Sequence, residues 1–392
     1  MIYLIILSLV LAPAYVIHFN VLHLPTDVLM VWVVILWLIF LFWTISNNKI
    51  KDFLRFKEQA DKKLLIFITL FFLSGFLAVF IKGYDRDKLG QFIVWFLEPI
   101  SLFFIASYIF QNDKNSKNLI LITLYWLLAI AGVYALIQYF TLLGLPPAWW
   151  GNSVEPKRSL SFFAHPNFYA LWAAPLLALL IPDLAASLKS KIISQKSLLW
   201  ILGAIGLLFS LSRSGWLGLA AAVVVYLIVA ADAKVRKIIL SAILVAVLIV
   251  LAVPNLRWRL ILPFYGEKSA VSRISLWRDG LHAVKDAPVT GLGLTGFGTD
   301  YGYLNTDPNL DTHNFPHNIF LNFWVETGLL GLVSFFAIAW MFIYDGFKNR
   351  RDIFKLGVCL FLIALICQGQ VDNPYFKNDL ALIFWIVLAL AI

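Results

Sequence analysis

Twelve runs of mostly apolar residues divide this sequence, and most are long enough to cross a lipid bilayer. A spanning helix needs about 20 predominantly apolar residues. The runs fall at 1–19, 27–45, 64–82, 89–110, 119–141, 165–187, 198–212, 214–231, 238–256, 317–345, 356–371 and 378–392. The last two are short and the seventh and eighth run together, so eleven and thirteen spans stand as alternatives. Composition agrees, with 61% of residues apolar and 14% charged. A soluble domain is about one-half apolar and one-quarter charged. These values exclude a water-soluble fold, and they exclude disorder, which needs low hydrophobicity. The expected fold is all-α and polytopic, with about 12 transmembrane helices. Nine of them occupy 1–256, an outer loop with an amphipathic helix occupies 257–316, and three occupy 317–392. No repeat of fixed period is visible, which counts against transporter folds built from internal repeats. The first run lacks a basic stretch before it and a small-residue cleavage site after it, so it reads as a retained span.

The net charge is +9, and the placement of the cations carries the information. The loop at 46–63 holds Lys49, Lys51, Arg55, Lys57, Lys62 and Lys63. The positive-inside rule places it in the cytoplasm, and both termini follow. The inner side then holds 18 cations, 14 of them lysine, and the outer side holds 13, of which 7 are arginine. Lysine-rich inner loops are an ordinary retention signal. Arginine on the outer face asks for another explanation, because its guanidinium forks bidentately onto phosphate or carboxylate and tolerates partial desolvation. An outer arginine cluster therefore points to a phosphate-bearing ligand. The plainer reading is anchoring of helix ends at the interface.

Arg213 is the sharpest case. Residues 198–231 give 34 residues for two spans, interrupted only by Ser212-Arg213-Ser214-Gly215. No loop is left over, so Arg213 is expected at the turn of a tight hairpin. A cation there needs a partner or a wet cavity, with snorkelling to the headgroups as the bland alternative. The outer segment also carries Arg257, Arg259, Arg273 and Arg278. Residues 272–286 read as an amphipathic helix whose stripe is Ile274, Trp277, Leu281 and Val284. It would lie in the membrane plane with Arg273 and Arg278 at headgroup level, holding a lipid-linked phosphate or acting as a strut.

The tenth run opens with Thr312-His313-Asn314-Phe315-Pro316-His317-Asn318. Pro316 is expected as the first helical residue, which places His317 in the first turn. The helix dipole there favours the neutral imidazole that a general base needs. Free N–H groups at the same end can hold an anion. A capping histidine is the structural alternative. Metal binding by His313 and His317 lacks a nearby cysteine or paired acid to complete a site. Cys359 and Cys367 share one apolar run and build neither a zinc site nor a disulfide framework. His165 and Asn167 open the sixth run in Phe163-Ala-His165-Pro166-Asn167, just after Lys157 and Arg158. Glu326, nine residues beyond His317, is expected to bond a neighbouring helix.

Together these motifs resemble the O-antigen ligase and polymerase family of polytopic glycosyltransferases. The resemblance rests on His317-Asn318 followed by Gly328-Leu-Leu-Gly331, and on Ser212-Arg213-Ser214-Gly215-Trp216-Leu217. It rests further on Ser272-Arg273-Ile-Ser-Leu-Trp277 with Gly291-Leu-Gly293 after it, and on Phe163-Ala-His165-Pro166-Asn167, where asparagine is frequent at the histidine position. The matches run from about 158 to 331. The resemblance implies a class C-like membrane glycosyltransferase, inverting and metal-independent, without a cofactor. It implies an inner (cytoplasmic) membrane location in bacteria, with the 257–316 segment as a large periplasmic loop. The donor would be a glycan on undecaprenyl diphosphate, and the acceptor lipid A–core, another glycan or a protein hydroxyl. Arg213 and Arg273 would bind the diphosphate, and His317, the catalytic residue, would act at the acceptor hydroxyl or the diphosphate. Arg158 and Arg278 join the diphosphate set from position and charge. His313, Asn318, His165 and Asn167 are supporting residues.

The residues read by themselves agree with that chemistry. Transfer from a diphosphate needs negative charge stabilised on the leaving group and one base at the acceptor hydroxyl. Membrane lipids are the implied surroundings, and nucleic acid is not an expected partner. A flippase or transporter of a lipid-linked or anionic solute would instead need arginines lining a path through the bilayer. Ligase, O-antigen or exopolysaccharide polymerase, and protein O-oligosaccharyltransferase differ in acceptor, for which no motif is readable.

Overall fold

The computed structural model describes residues 1–21, 24–59, 61–113, 115–152, 155–190, 194–262, 267–300 and 314–392. Helices make up the regular structure, apart from a short antiparallel hairpin of His18–Val21 and Leu24–Asp27. The hairpin ends on a cap: the Asp27 carboxylate accepts the amide N–H of Met30 at 2.8 Å and starts the Val28–Ser46 helix.

Among the described residues, five helices are long and apolar enough to cross a membrane: Val28–Ser46, Arg86–Asn112, Ser116–Thr141, Ala233–Ala252 and Ile319–Lys348. Pro166–Leu179 with Ile181–Lys189, bent by 45°, makes a sixth. The remaining apolar runs lie on shorter helices, including Gln195–Phe209, Arg213–Val229, Ile353–Gln368 and Asn378–Ala389. Only 6% of the Ala233–Ala252 apolar stretch is buried by protein. Leu240, Leu244, Val245 and Leu248 along it are more than half exposed. An apolar surface of that extent, on a helix of spanning length, suits a lipid environment. The chain is a multi-pass membrane protein.

The chain folds as two compact units. One comprises 1–120, 275–342 and 373–392, and the other 121–274 and 343–372. The first is built around aromatic rings. Phe323 and Phe335 stack at 4.0 Å, with Phe71, Tyr375 and Phe384 around them. Tyr375 donates its hydroxyl to the Trp95 carbonyl at 2.7 Å and accepts from Trp385 Nε1 at 3.0 Å. The Asn378–Ala389 helix, only 12 residues long, is buried along its length. Its length is matched to protein neighbours and need not match the bilayer, which accounts for the short final run.

The second unit uses small residues instead. Helices Pro166–Leu179, Arg213–Val229 and Ile353–Gln368 approach closely at glycines. A Cβ on Gly218 would meet the Ala364 carbonyl at 2.7 Å, and one on Gly357 the Leu179 carbonyl at 2.6 Å. Lipid offers no hydrophobic drive for helix association, so close backbone packing supplies it. This packing fixes the turn before Arg213.

Candidate diphosphate site and the approach to the tenth run

Arg213 is the first residue of its helix, with three residues between it and the end of Gln195–Phe209. The turn between them is stiff. Leu211 takes a left-handed φ of 51°, and the Ser212 and Ser214 hydroxyls bond each other at 3.1 Å. The Arg213 Nη2 donates to one oxygen of Glu267, and its Nη1 reaches the Arg259 carbonyl at 3.4 Å. Arg259, on the Pro254–Ile261 helix, donates through Nη1 to the other oxygen of Glu267. Its Nε holds the Leu211 carbonyl of the same turn at 3.0 Å.

Arg158 enters from the segment before the Pro166–Leu179 helix. Gln138 fixes that segment, its Oε1 accepting the N–H groups of Leu160 and Ser161 at 3.1 and 2.8 Å. The Arg158 Nε donates to the Ser210 carbonyl at 3.0 Å and Nη2 to Asn167 Oδ1 at 2.6 Å. Its guanidinium lies 5.5 Å from the Trp149 ring centre, within cation–π range. His165 Nδ1 accepts the Asn167 N–H at 3.0 Å and so caps the helix. His165 and Asn167 therefore hold the frame in which Arg158 sits.

Arg273 is on the Lys268–Asp286 helix. Its Nε donates to the Val371 carbonyl at 2.6 Å, its Nη1 to Ser269, and its Nη2 lies 3.9 Å from the Asp372 carboxylate. Arg158 feels the other three arginines. Burial, then Arg259, Arg213 and Arg273, push the Arg158 guanidinium down to about 9, against the pull of Glu267. It still carries its charge at neutral pH. Burial and Arg213 push Arg259 down as well, and Glu267 resists. Burial alone would raise the Glu267 carboxyl, but Arg259 and Arg213 hold it below its usual range. Four guanidiniums thus face the carboxylates of Glu267 and Asp372. The excess of positive charge suits an anion with two charges, such as a diphosphate diester.

The Lys268–Asp286 helix differs from the sequence expectation in its faces. Its buried side is Ser272, Leu276, Gly280, Ala283 and Val284, so Ile274 and Leu281, assigned to a common stripe with Val284, are exposed. Neighbours for Gly280 come from Pro316 and Leu321, and packing against protein set the face. The exposed side gathers Ile274, Arg278, Leu281 and Lys285. Arg278 belongs to the unit that contains 275–342.

In that unit the tenth run begins later than expected. Asn318 is the cap: its Oδ1 accepts the N–H groups of Phe320 and Leu321 at 3.0 and 3.1 Å, and the helix starts at Ile319. Pro316 is therefore not the first helical residue, and His317 is not in the first turn. A side-chain oxygen satisfies two orphan N–H groups, which proline at that point does not. His317 precedes the cap with a left-handed φ of 47°, an uncommon conformation for a residue with a Cβ. Its carbonyl accepts Trp277 Nε1 at 3.2 Å. His313 lies outside the described residues.

Glu326 and the glycine motifs form one construction. The Ile319–Lys348 helix kinks at Gly328, where φ is 68°. Gly291, with φ of 67°, lies against it, and its Cβ would meet the Val325 and Trp324 carbonyls at 2.5 and 2.7 Å. The Leu292 N–H donates to the Val325 carbonyl at 2.7 Å, and the Leu329 N–H to Val289 at 3.0 Å. Buried Glu326 accepts the Thr295 N–H at 2.5 Å. Its partner is a loop amide, where a neighbouring helix was expected. The Gly-Leu-Gly and Gly-x-x-Gly motifs thus let two backbones touch.

Sequence reading missed Arg259 as a partner of Arg213, and Glu267 and Gln138 altogether. A pairing across 54 residues leaves no spacing signal.

No curated protein matches the chain. Residues 198–336 match the family model described as O-antigen ligase. The stretch holding Arg213, Arg259, Glu267, Arg273 and His317 is therefore similar to O-antigen ligase, the membrane glycosyltransferase type that the motifs resemble.

Proposed function

We propose that the protein is an O-antigen ligase that moves a glycan from undecaprenyl diphosphate to a hydroxyl of lipid A–core at the periplasmic face of the bacterial inner membrane. The carrying observation is that Arg213 and Arg259 share the one Glu267 carboxylate, with Arg158 close enough to feel both of them, Glu267 and Arg273. In a single inverting displacement the acceptor oxygen attacks the anomeric carbon. The bond from that carbon to the diphosphate oxygen breaks, and the bonding pair leaves on that oxygen. Preorganised guanidiniums stabilise the charge that develops there, which would let the reaction run without a metal. His317 takes the acceptor proton as general base, and its strained backbone is consistent with a functional demand at that position. Arg278, on an exposed face with Ile274 and Leu281, engages headgroups or the donor's lipid end. In this reading all twelve apolar runs cross the membrane, and 257–316 is a periplasmic loop.

Glycan analysis of a deletion strain tests the acceptor. A ligase leaves unmodified core with accumulated lipid-linked polymer. Core capped by single repeats would make the protein a polymerase. Unchanged glycans with lost protein modification would make it a protein glycosyltransferase.

A further inference from the structure

A ligand bound between Arg213 and Arg259 has to take positions that the protein fills itself. The Glu267 side chain is 3% exposed, and its two oxygens are divided between the two guanidiniums. That fork has the shape of a phosphate's two oxygens facing two arginines. The charged groups around it, among the described residues, are Arg213 from the hairpin turn, Arg259 from the Pro254–Ile261 helix and Arg158 from the segment before residue 166. Glu155 acts more remotely, through Arg259. Buried like charges repel unless an anion stands among them, so the carboxylate and a diphosphate answer the same need.

We propose that Glu267 is an internal competitor of the diphosphate: its carboxylate is displaced from Arg213 and Arg259 when donor binds and returns to them when the polyprenyl diphosphate product leaves. The inference rests on the reading of these arginines as the diphosphate site. It gives Glu267 a role opposite to that of a bracket. A bracket holds the arginines in place for the ligand, and its loss weakens binding. A competitor lowers affinity and speeds release, and its loss strengthens binding.

The sign of the effect decides. The probe is P1,P2-dimethyl diphosphate, whose two charges do not titrate near neutrality, measured by calorimetry on the full chain in detergent. Glu267→Gln is expected to bind it about tenfold more tightly than the unaltered protein. The unaltered protein gives a second readout. Displacement frees Glu267 from the arginines that hold its carboxyl below the ordinary value of 4.5, so its proton affinity rises on binding. Binding near pH 4.5 then takes up a fraction of a proton, and affinity increases as pH falls from 7. Binding by Glu267→Gln that is no tighter overturns the inference, as does binding without proton uptake in the unaltered protein should the variant fail to fold. Failure of the unaltered protein to bind the probe at all would instead remove the arginine reading beneath it.

Discussion

Arg213 and Arg259 are held by the two oxygens of one buried carboxylate, that of Glu267. One comes from a hairpin turn and the other from a short helix 46 residues later, so the carboxylate joins two pieces of chain that sequence keeps apart. Removing either arginine leaves Glu267 facing a single partner and takes one donor from the site.

Arg213→Ala, Arg259→Ala and Arg273→Ala should each lower transfer on the order of a hundredfold, the usual effect of losing one preorganised donor. Lysine at Arg213 or Arg259 should rescue little, because an ammonium cannot fork. In vitro transfer with each variant, normalised to membrane-inserted protein, checks this. Full activity in Arg259→Ala would separate that residue from the site.

Glu267 also contributes to stability. Its folded-state carboxyl titrates below its unfolded value, so the contribution is complete above about pH 5 and lost as pH falls through the depressed value. Glu267→Gln should destabilise the protein on the order of 3 kcal/mol at pH 7, because two arginines lose their buried partner. As pH falls through the depressed value, the melting curves of variant and unaltered protein should converge. A constant gap across that range would place the effect elsewhere.

The neighbours at the start of the Ile319–Lys348 helix should separate by kind. Asn318→Ala removes a cap, costing about 1 kcal/mol, and should retain partial transfer. His317→Gly relieves a left-handed backbone and should leave stability unchanged or raised while abolishing transfer. Thermal melts and transfer assays on the same preparations compare the two. Transfer by His317→Gly near the normal rate would remove it as base.

Gly328→Ala should be structural. A methyl there meets the Thr290 carbonyl carbon at 2.7 Å and forces a residue with a Cβ to hold φ of 68°. A loss of about 2 kcal/mol or more is expected, seen as a lower melting temperature in detergent. A neutral substitution would mean that the kink and the 289–292 loop are not held together.

The sequence showed what local spacing can show. Apolar runs gave the membrane class, and 34 residues for two helices forced Arg213 into a turn. Single-residue caps were harder to read. Proline at 316 suggested a helix start, but Asn318 offered a better acceptor to the same orphan N–H groups and displaced it. The 272–286 stripe divides: Ile274 and Leu281 lie on the exposed face, whereas Val284 is buried on the side of Gly280, which Pro316 and Leu321 approach. Glu267 carried no motif, because its role comes from a pairing in space.

The direct measurement uses purified protein in detergent with undecaprenyl-diphosphate-linked glycan and lipid A–core, and follows glycosylated core over time. Transfer without added metal that falls on the order of a hundredfold in Arg213→Ala and is abolished in His317→Ala is the predicted result. Undiminished transfer in both variants, or no transfer by the unaltered protein to any hydroxyl acceptor, would contradict it.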